Sequence, residues 1–180
     1  MTRDETIAFF LECEAKRKEA LAAALAEGKP VLAAVDLAHD AAKKCWNAWA
    51  KELLAERETM RANGRWAGSE GDWHGRAAAD FSFCLFVNKG AANKEKEAKA
   101  EFAIEKRAAE AGFDSKSISV EAEVIRFDGF LFLRDPWFLS AIFTGSASFR
   151  STTFTGGALF ESTAFMNHAF FANANFMGST

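Results

Sequence analysis

The chain has 180 residues, 49% apolar and 26% charged, with a formal net charge of −3. That length and balance suit one folded unit with a real core, and the small charge does not favour nucleic acid or an anionic membrane surface as a partner. Neither a secretory leader nor a membrane span is expected: the start, "MTRDETIAFF", sets acids beside its apolar residues, and the most apolar stretch, 127–143, is broken by Asp128, Arg134, Asp135 and Pro136.

Residues 4–63 read as helix. "DETIAFFLECEAKRKEALAAALAEG" is built of strong helix formers, and Gly28 and Pro30 supply the stop and restart of a helical hairpin. In the second helix Ala38, Ala42, Trp46, Trp49, Leu53 and Met60 recur at steps of three, four and seven, which makes one apolar stripe that needs a cover. Asn63-Gly64 is placed to end it. Residues 64–78 read as loop.

"ADFSFCLF" then brings Phe81 and Phe86, five apart, in a strand-like setting. An insertion follows from 87 to about 117, whose segment 93–111 reads as a charge-rich solvated helix with a thin stripe of Ala98, Phe102 and Ala109. "SISVEAEVIRF" alternates well enough to be a strand leading out of it. Cys13, Cys45 and Cys84 never form a CxxC pair and read as reduced, mostly buried thiols of a cytoplasmic protein.

The last third repeats. Phe127, Phe132, Phe138, Phe143, Phe149, Phe154, Phe160, Phe165, Phe171 and Phe176 follow one another at alternating steps of five and six. Two residues before each Phe from 143 onward stands a small residue, Ala141, Ala147, Thr152, Ala158, Thr163, Ala169 or Ala174. Two residues after almost every Phe stands Gly, Ser or Asn, residues that tolerate tight corners. Steps of five and six would smear the rings around a 3.6-residue helix, and long strands would need many more apolar positions. Very short strands remain, each turning one ring and one small residue inward, stacked so that the rings form ladders.

These residues resemble the pentapeptide-repeat family, in the branch whose units alternate five and six residues, and "WNAW" at 46–49 resembles the helix that often precedes its repeats. The resemblance implies an α+β chain. A helical hairpin (1–64) flanks or caps a loop, repeat-like strand and charged helical insertion (65–126). A short right-handed quadrilateral β-helix then fills 127–180, with about 22 residues per coil and two to three coils. Phe130 and Pro136 sit where a small residue is usual, so the first coil is expected to be irregular. The final coil is expected to expose strand edges with Phe171 and Phe176, so that either two copies pack end to end as a homodimer or the chain is part of a longer protein.

Chemistry-bearing patterns are sparse. His39, His74 and His168 stand alone, no metal-ligand spacing or phosphate loop occurs, and no cofactor is implied. "GDWHGR", 71–76, is the one stretch with an active-site look, joining Asp72, Trp73, His74 and Arg76, though a Trp packing on the core explains it more simply. Some relatives in the resembled family bind DNA gyrase by imitating duplex charge, but 127–180 offers only Asp128, Asp135 and Glu161 against Arg134 and Arg150. The expected role is therefore a non-enzymatic scaffold for an unknown protein partner, with a topoisomerase-modulating DNA mimic as the alternative. Trp137, Leu139 and Leu159 are expected to share an outward strip, covered by the charged helix or by the Trp46/Trp49 stripe, and open to a partner if left bare.

Overall fold

A computed structural model describes residues 1–88, 94–112, 118–122 and 125–178; positions 89–93, 113–117, 123–124 and 179–180, all inside segments assigned above, lie outside the described residues. Helix α1 spans Arg3–Ala26 and opens with a capping box in which Thr2 and Glu5 each accept from the other's backbone amide. It ends at Gly28, whose φ of 74° lets the amides of Gly28 and Lys29 turn back onto Leu25 and Ala24. Helix α2, Val31–Ala62, starts after Pro30 and buries Ala38, Ala42, Trp46 and Leu53.

Residues 64–78 are not loop. Trp66–Ala77 form helix α3 despite glycines at 68, 71 and 75. Tertiary contacts outweigh poor propensity here. Trp73 is 2% exposed and its indole N–H donates to the Leu53 carbonyl at 2.8 Å, while Arg76 grips Glu56 through two 2.8 Å bonds.

The rest of the described chain is helix α4 (Lys94–Glu110) and short parallel strands in three small sheets. The strands are β1 (Cys84–Asn88), β2 (Ile118–Ala122), β3 (Ile125–Arg126), β4 (Leu131–Phe132), β5 (Ile142–Phe143), β6 (Ala147–Ser148), β7 (Thr153–Phe154), β8 (Ala164–Phe165), β9 (Ala169–Phe170) and β10 (Asn175–Phe176). The sheets run β2-β1-β5-β8, β4-β7-β10 and β3-β6-β9, and a fourth row is bridged as Asp80–Trp137–Leu159. From Ile125 onward every pairing has the same sequence offset, 22, as in Ile125↔Ala147 and Ile142↔Ala164, and the Arg150 amide reaches Asp128 across that same offset. Leu85 instead pairs with Ile142, a far longer separation, because the segment carrying α4 and β2 is inserted within the first layer.

Twelve phenylalanines thereby stack in four columns of three: Phe81–Phe138–Phe160, Phe86–Phe143–Phe165, Phe127–Phe149–Phe171 and Phe132–Phe154–Phe176. Successive centroids lie 4.4–5.3 Å apart with planes within 13° of parallel. Phe81 and Phe86 thus complete a first layer beside Phe127 and Phe132. Corners explain the alternating step. In each five-residue step the Phe carbonyl accepts from the amide three residues on, and the residue between, Phe83, Gly129, Ser140, Ser151, Ser162 or Asn173, takes a left-handed φ of 53–69°. At the six-residue corners after Phe143 and Phe154 the demand is space: a Cβ on Gly145 would lie 2.5 Å from the Asn88 Cβ of the layer before, and one on Gly156 would lie 2.5 Å from the Asp135 carboxylate. The small inward residues at 152 and 163 are threonines because each hydroxyl donates to a carbonyl one layer back, Phe127 at 2.8 Å and Phe138 at 2.6 Å.

Three of the columns continue into the cap. Phe10 covers Phe127 at 5.2 Å, Trp46 lies over Phe81 and Phe130, and Val120 pairs with Phe86 in register. The open backbone of the first layer is satisfied by side chains. Asn47 donates to the Gly129 carbonyl at 3.0 Å and accepts from the Leu131 amide at 2.8 Å, the two bonds a neighbouring strand would make. The Trp46 indole donates to the Leu131 carbonyl, and the Thr6 hydroxyl accepts from the Asp80 amide. Phe130 of the first layer and Pro136, at the start of the second, are both buried.

Helix α4 lies on β1 and β5, but through a different face from the expected stripe. Ala100, Ile104 and Ala108 are buried against Phe83, Leu85, Val87 and Ile142, while Phe102 is 70% exposed. Two alanines flanking one isoleucine let the helix backbone approach a sheet, which a Phe on that face would prevent.

Burial grades along the columns. Phe149 is fully buried and stacked on both sides, whereas Phe176 closes its column at 53% exposure. Phe149→Ala is expected to cost about 3–5 kcal/mol and Phe176→Ala about 1 kcal/mol in urea unfolding. Equal costs for the two would show that the columns do not carry the stability.

Candidate functional site

The residues singled out above scatter over the molecule. Asp72, Trp73, His74 and Arg76 all sit on α3, where Trp73 belongs to the core. Asp72 lies 3.5 Å from Arg76 while Arg76 itself is held by Glu56. His74 lines a cleft of about 370 Å³ with Trp66, Arg57, Arg61 and Arg134. Arg57 lies over the Trp73 ring at 5.3 Å and Arg61 over Trp66 at 5.0 Å, and both approach Glu58. Partial burial, then the Arg134 charge, lowers the His74 pKa. Arg57 and Arg61 of this cleft lie on the indole faces of Trp73 and Trp66, contacts that help fix α3 on α2.

Cys84 is buried at the start of β1, where burial pushes its thiol up, away from nucleophilic use. His168 is exposed and stacks at 5.8 Å on Phe170. Among the described residues no three His, Cys, Asp or Glu side chains gather as a metal-sized cluster, and no helix is long and apolar enough to cross a membrane.

His39 has a structural position. Its Nε2–H donates to the Asp128 carbonyl at 2.7 Å, since a carbonyl can only accept, and its ring stacks on Phe130. Nδ1 is buried without a partner among the described residues. Burial lowers its pKa, with the Arg126 and Lys43 charges acting in the same direction.

Within 125–178 the exposed large apolar side chains are Trp137, Leu159, Met166, Phe170, Phe176 and Met177, most of them in the third layer. The Trp137↔Leu159 bridge places these two one above the other, as the constant offset requires, and they are 45% and 46% exposed. Leu139 instead joins the margin of the α4 contact, so the expected strip is divided. Neither α4 nor the Trp46/Trp49 stripe covers Trp137 and Leu159: Trp46 and Trp49 face Phe9, on the cap. Met166, Phe170, Phe176 and Met177, all of the third layer, are also exposed.

The third layer also has an open backbone edge. Second-layer amides of Phe138, Ser140, Ala147, Phe149 and Ser151 donate to third-layer carbonyls, but the equivalent amides one coil later, at Phe160, Ser162, Ala169, Phe171 and Asn173, have no partner among the described residues. The carbonyls of Ala158, Thr163, Phe165, Ala174 and Phe176 are equally open, because their second-layer counterparts are the ones that accept from layer three. Glu161 is the single charged residue between 158 and 178. Spacing exposed the Phe columns and the Trp137/Leu159 pair; the count of open donors and acceptors needs the register. No model of a known protein family matches this chain, and no curated protein or solved structure matches it.

The His39 pKa has a consequence for stability. A depressed folded-state pKa means the unfolded chain binds that proton more tightly, so this contribution is complete above about pH 6.5 and is lost as the pH falls toward the folded-state value. Urea midpoints measured from pH 7.5 to 5 should fall for the wild type and fall less for His39→Gln, which keeps a donor for Asp128 but cannot titrate. Parallel curves would remove His39 as a pH-dependent group.

Proposed function

We propose that residues 81–88 and 125–178 form a short right-handed quadrilateral β-helix of the pentapeptide-repeat kind, and that the protein is a non-enzymatic scaffold acting in the cytoplasm through protein–protein contact. The four Phe columns and the constant offset between paired strands support the fold reading. One observation carries the functional reading: one end of the layered unit is closed by α1, α2 and β2, while at the other five amides and five carbonyls have no partner among the described residues and aromatic rings are half-exposed.

The partner that fits is a second copy, end to end. Donors and acceptors are present in equal number on one face, so the face can pair with itself about a two-fold axis. Its Phe rings meet Phe rings, and a face with one charge does not repel its own copy. The DNA-mimic alternative needs rows of free carboxylates. Asp128 instead accepts from Arg126, from the Ser148 hydroxyl and from the Arg150 amide, and Asp135 accepts from the Gly157 amide.

Light scattering of the purified chain is expected to give twice the 19.7 kDa of one chain. Phe176→Asp should return the mass to that of one chain without changing the circular dichroism. A wild-type chain that stays monomeric at every concentration tested rules out the self-pairing. A supercoiling assay with DNA gyrase is expected to show no response.

A further inference from the structure

Two of the three cysteines meet across the helical hairpin. Cys13 of α1 and Cys45 of α2 are 32 residues apart, yet their Sγ atoms are 2.7 Å from each other. A disulfide needs about 2.05 Å, so closing the pair requires the sulfurs to move by roughly 0.7 Å with both side chains already aimed at each other. Their settings differ. Cys13 is fully buried, and burial pushes its thiol up. Cys45 is only partly buried, and the Lys16 Nζ lies 3.4 Å from its sulfur on the solvent side, where Lys16 is also held 3.0 Å from Glu12. One sulfur can be reached from solvent beside a cation; the other is held behind it.

We propose that Cys13 and Cys45 are a thiol–disulfide exchange site, oxidised by low-molecular-weight disulfides to an intrahairpin bond that staples α1 to α2. The Cys45 sulfur, as thiolate, attacks the S–S bond of the reagent. A mixed disulfide forms on Cys45, and the first reagent sulfur departs as a thiolate and takes up a proton. The Lys16 ammonium stabilises the negative charge shared among the sulfurs during this step. The Cys13 sulfur then attacks the Cys45 sulfur, the bond from Cys45 to the reagent breaks, and the second reagent sulfur leaves with the Cys13 proton. Two protein thiols are oxidised and one reagent disulfide is reduced to two thiols.

The bond would act on the cap directly. Cys13 is one helical turn beyond Phe10 and Cys45 adjoins Trp46, the two rings that close the Phe columns. Cross-linking two helices whose cysteines are 32 residues apart limits the freedom of the unfolded chain, so the stapled form should unfold at a higher temperature.

The test treats the whole reduced chain with oxidised glutathione, quenches with acid, alkylates under denaturing conditions and reads intact mass and peptide map. The expected product has lost two hydrogens, carries a Cys13–Cys45 bond, keeps Cys84 as the one alkylatable thiol and melts about 10 °C higher, an effect reversed by dithiothreitol. Cys13→Ser should stop at a glutathione adduct on Cys45, Cys45→Ser should form no adduct while folded, and Lys16→Met should slow the first step. Circular dichroism identifies any variant that fails to fold, and the wild-type reaction stands without the variants. Three alkylatable thiols after treatment, a wild-type product that stops as the Cys45 adduct, a link between chains, or an unchanged melting temperature in the linked form would each overturn the proposal.

Discussion

The structure depends on a match of two lengths. Parallel strands lie about 4.8 Å apart, and aromatic rings stacked face to face need nearly the same separation. When each Phe sits one full coil from the next in its column, the backbone ladder and the ring column advance together, and the observed centroid spacings of 4.4–5.3 Å satisfy both. The other features of the layered unit serve that match. Left-handed corners at Ser140, Ser151, Ser162 and Asn173 shorten one step to five residues, and open corners at Gly145 and Gly156 allow the next to be six. Small inward residues fit because rings of neighbouring columns meet edge to face, as Phe138 does with Phe149 at 89°. A large side chain at Ala141 or Ala147, both fully buried, would push the rings off their columns.

A stack of this kind has two ends, and each poses the same problem of unpaired backbone. At the first layer the answer is assembled from side chains: Asn47, Trp46, His39 and Thr6 provide the hydrogen bonds of a missing strand, and Phe10 and Trp46 provide its rings. These groups come from α1 and α2, so the hairpin is part of the layered unit's core rather than an appendage. The inserted β2 performs the same task for β1 with backbone alone. At the third layer the same kinds of groups are left open, which is why the self-pairing proposed for this chain rests there.

Much of this was legible because repetition reports geometry directly. Ten evenly spaced Phe residues announced the columns, and Trp137 above Leu159 followed from the same period. Phe81 and Phe86 stand out in the sequence only as a fragment, because the insertion after them separates them from the rest of the first layer. Elements without repetition carry a weaker signal. Three glycines made α3 look like loop, because the contacts that hold it, Trp73 to Leu53 and Arg76 to Glu56, are long-range. The stripe chosen for α4 followed its largest apolar residue, Phe102, whereas packing against a sheet selected the smaller Ala100 and Ala108. Of the groups around the cap, Trp46 was marked by its stripe, but Asn47, an ordinary polar residue on a helix, carried no signal of its strand-like bonds.

The insertion bears on the order in which the molecule can assemble. Contacts between the second and third layers, and those reaching β3 and β4, join segments a single coil apart and close short loops. Those that tie β1 to β5 wait on a loop spanning the whole insertion, and the bond from Asn47 to Leu131 on a separation of 84. Loop-closure entropy grows with that separation, so nucleation is cheapest among the most local windings. In chain order α1 and α2 precede the first layer that they cover, so the hairpin is synthesised before the surface it closes, and the local windings that are cheapest to nucleate are made after it.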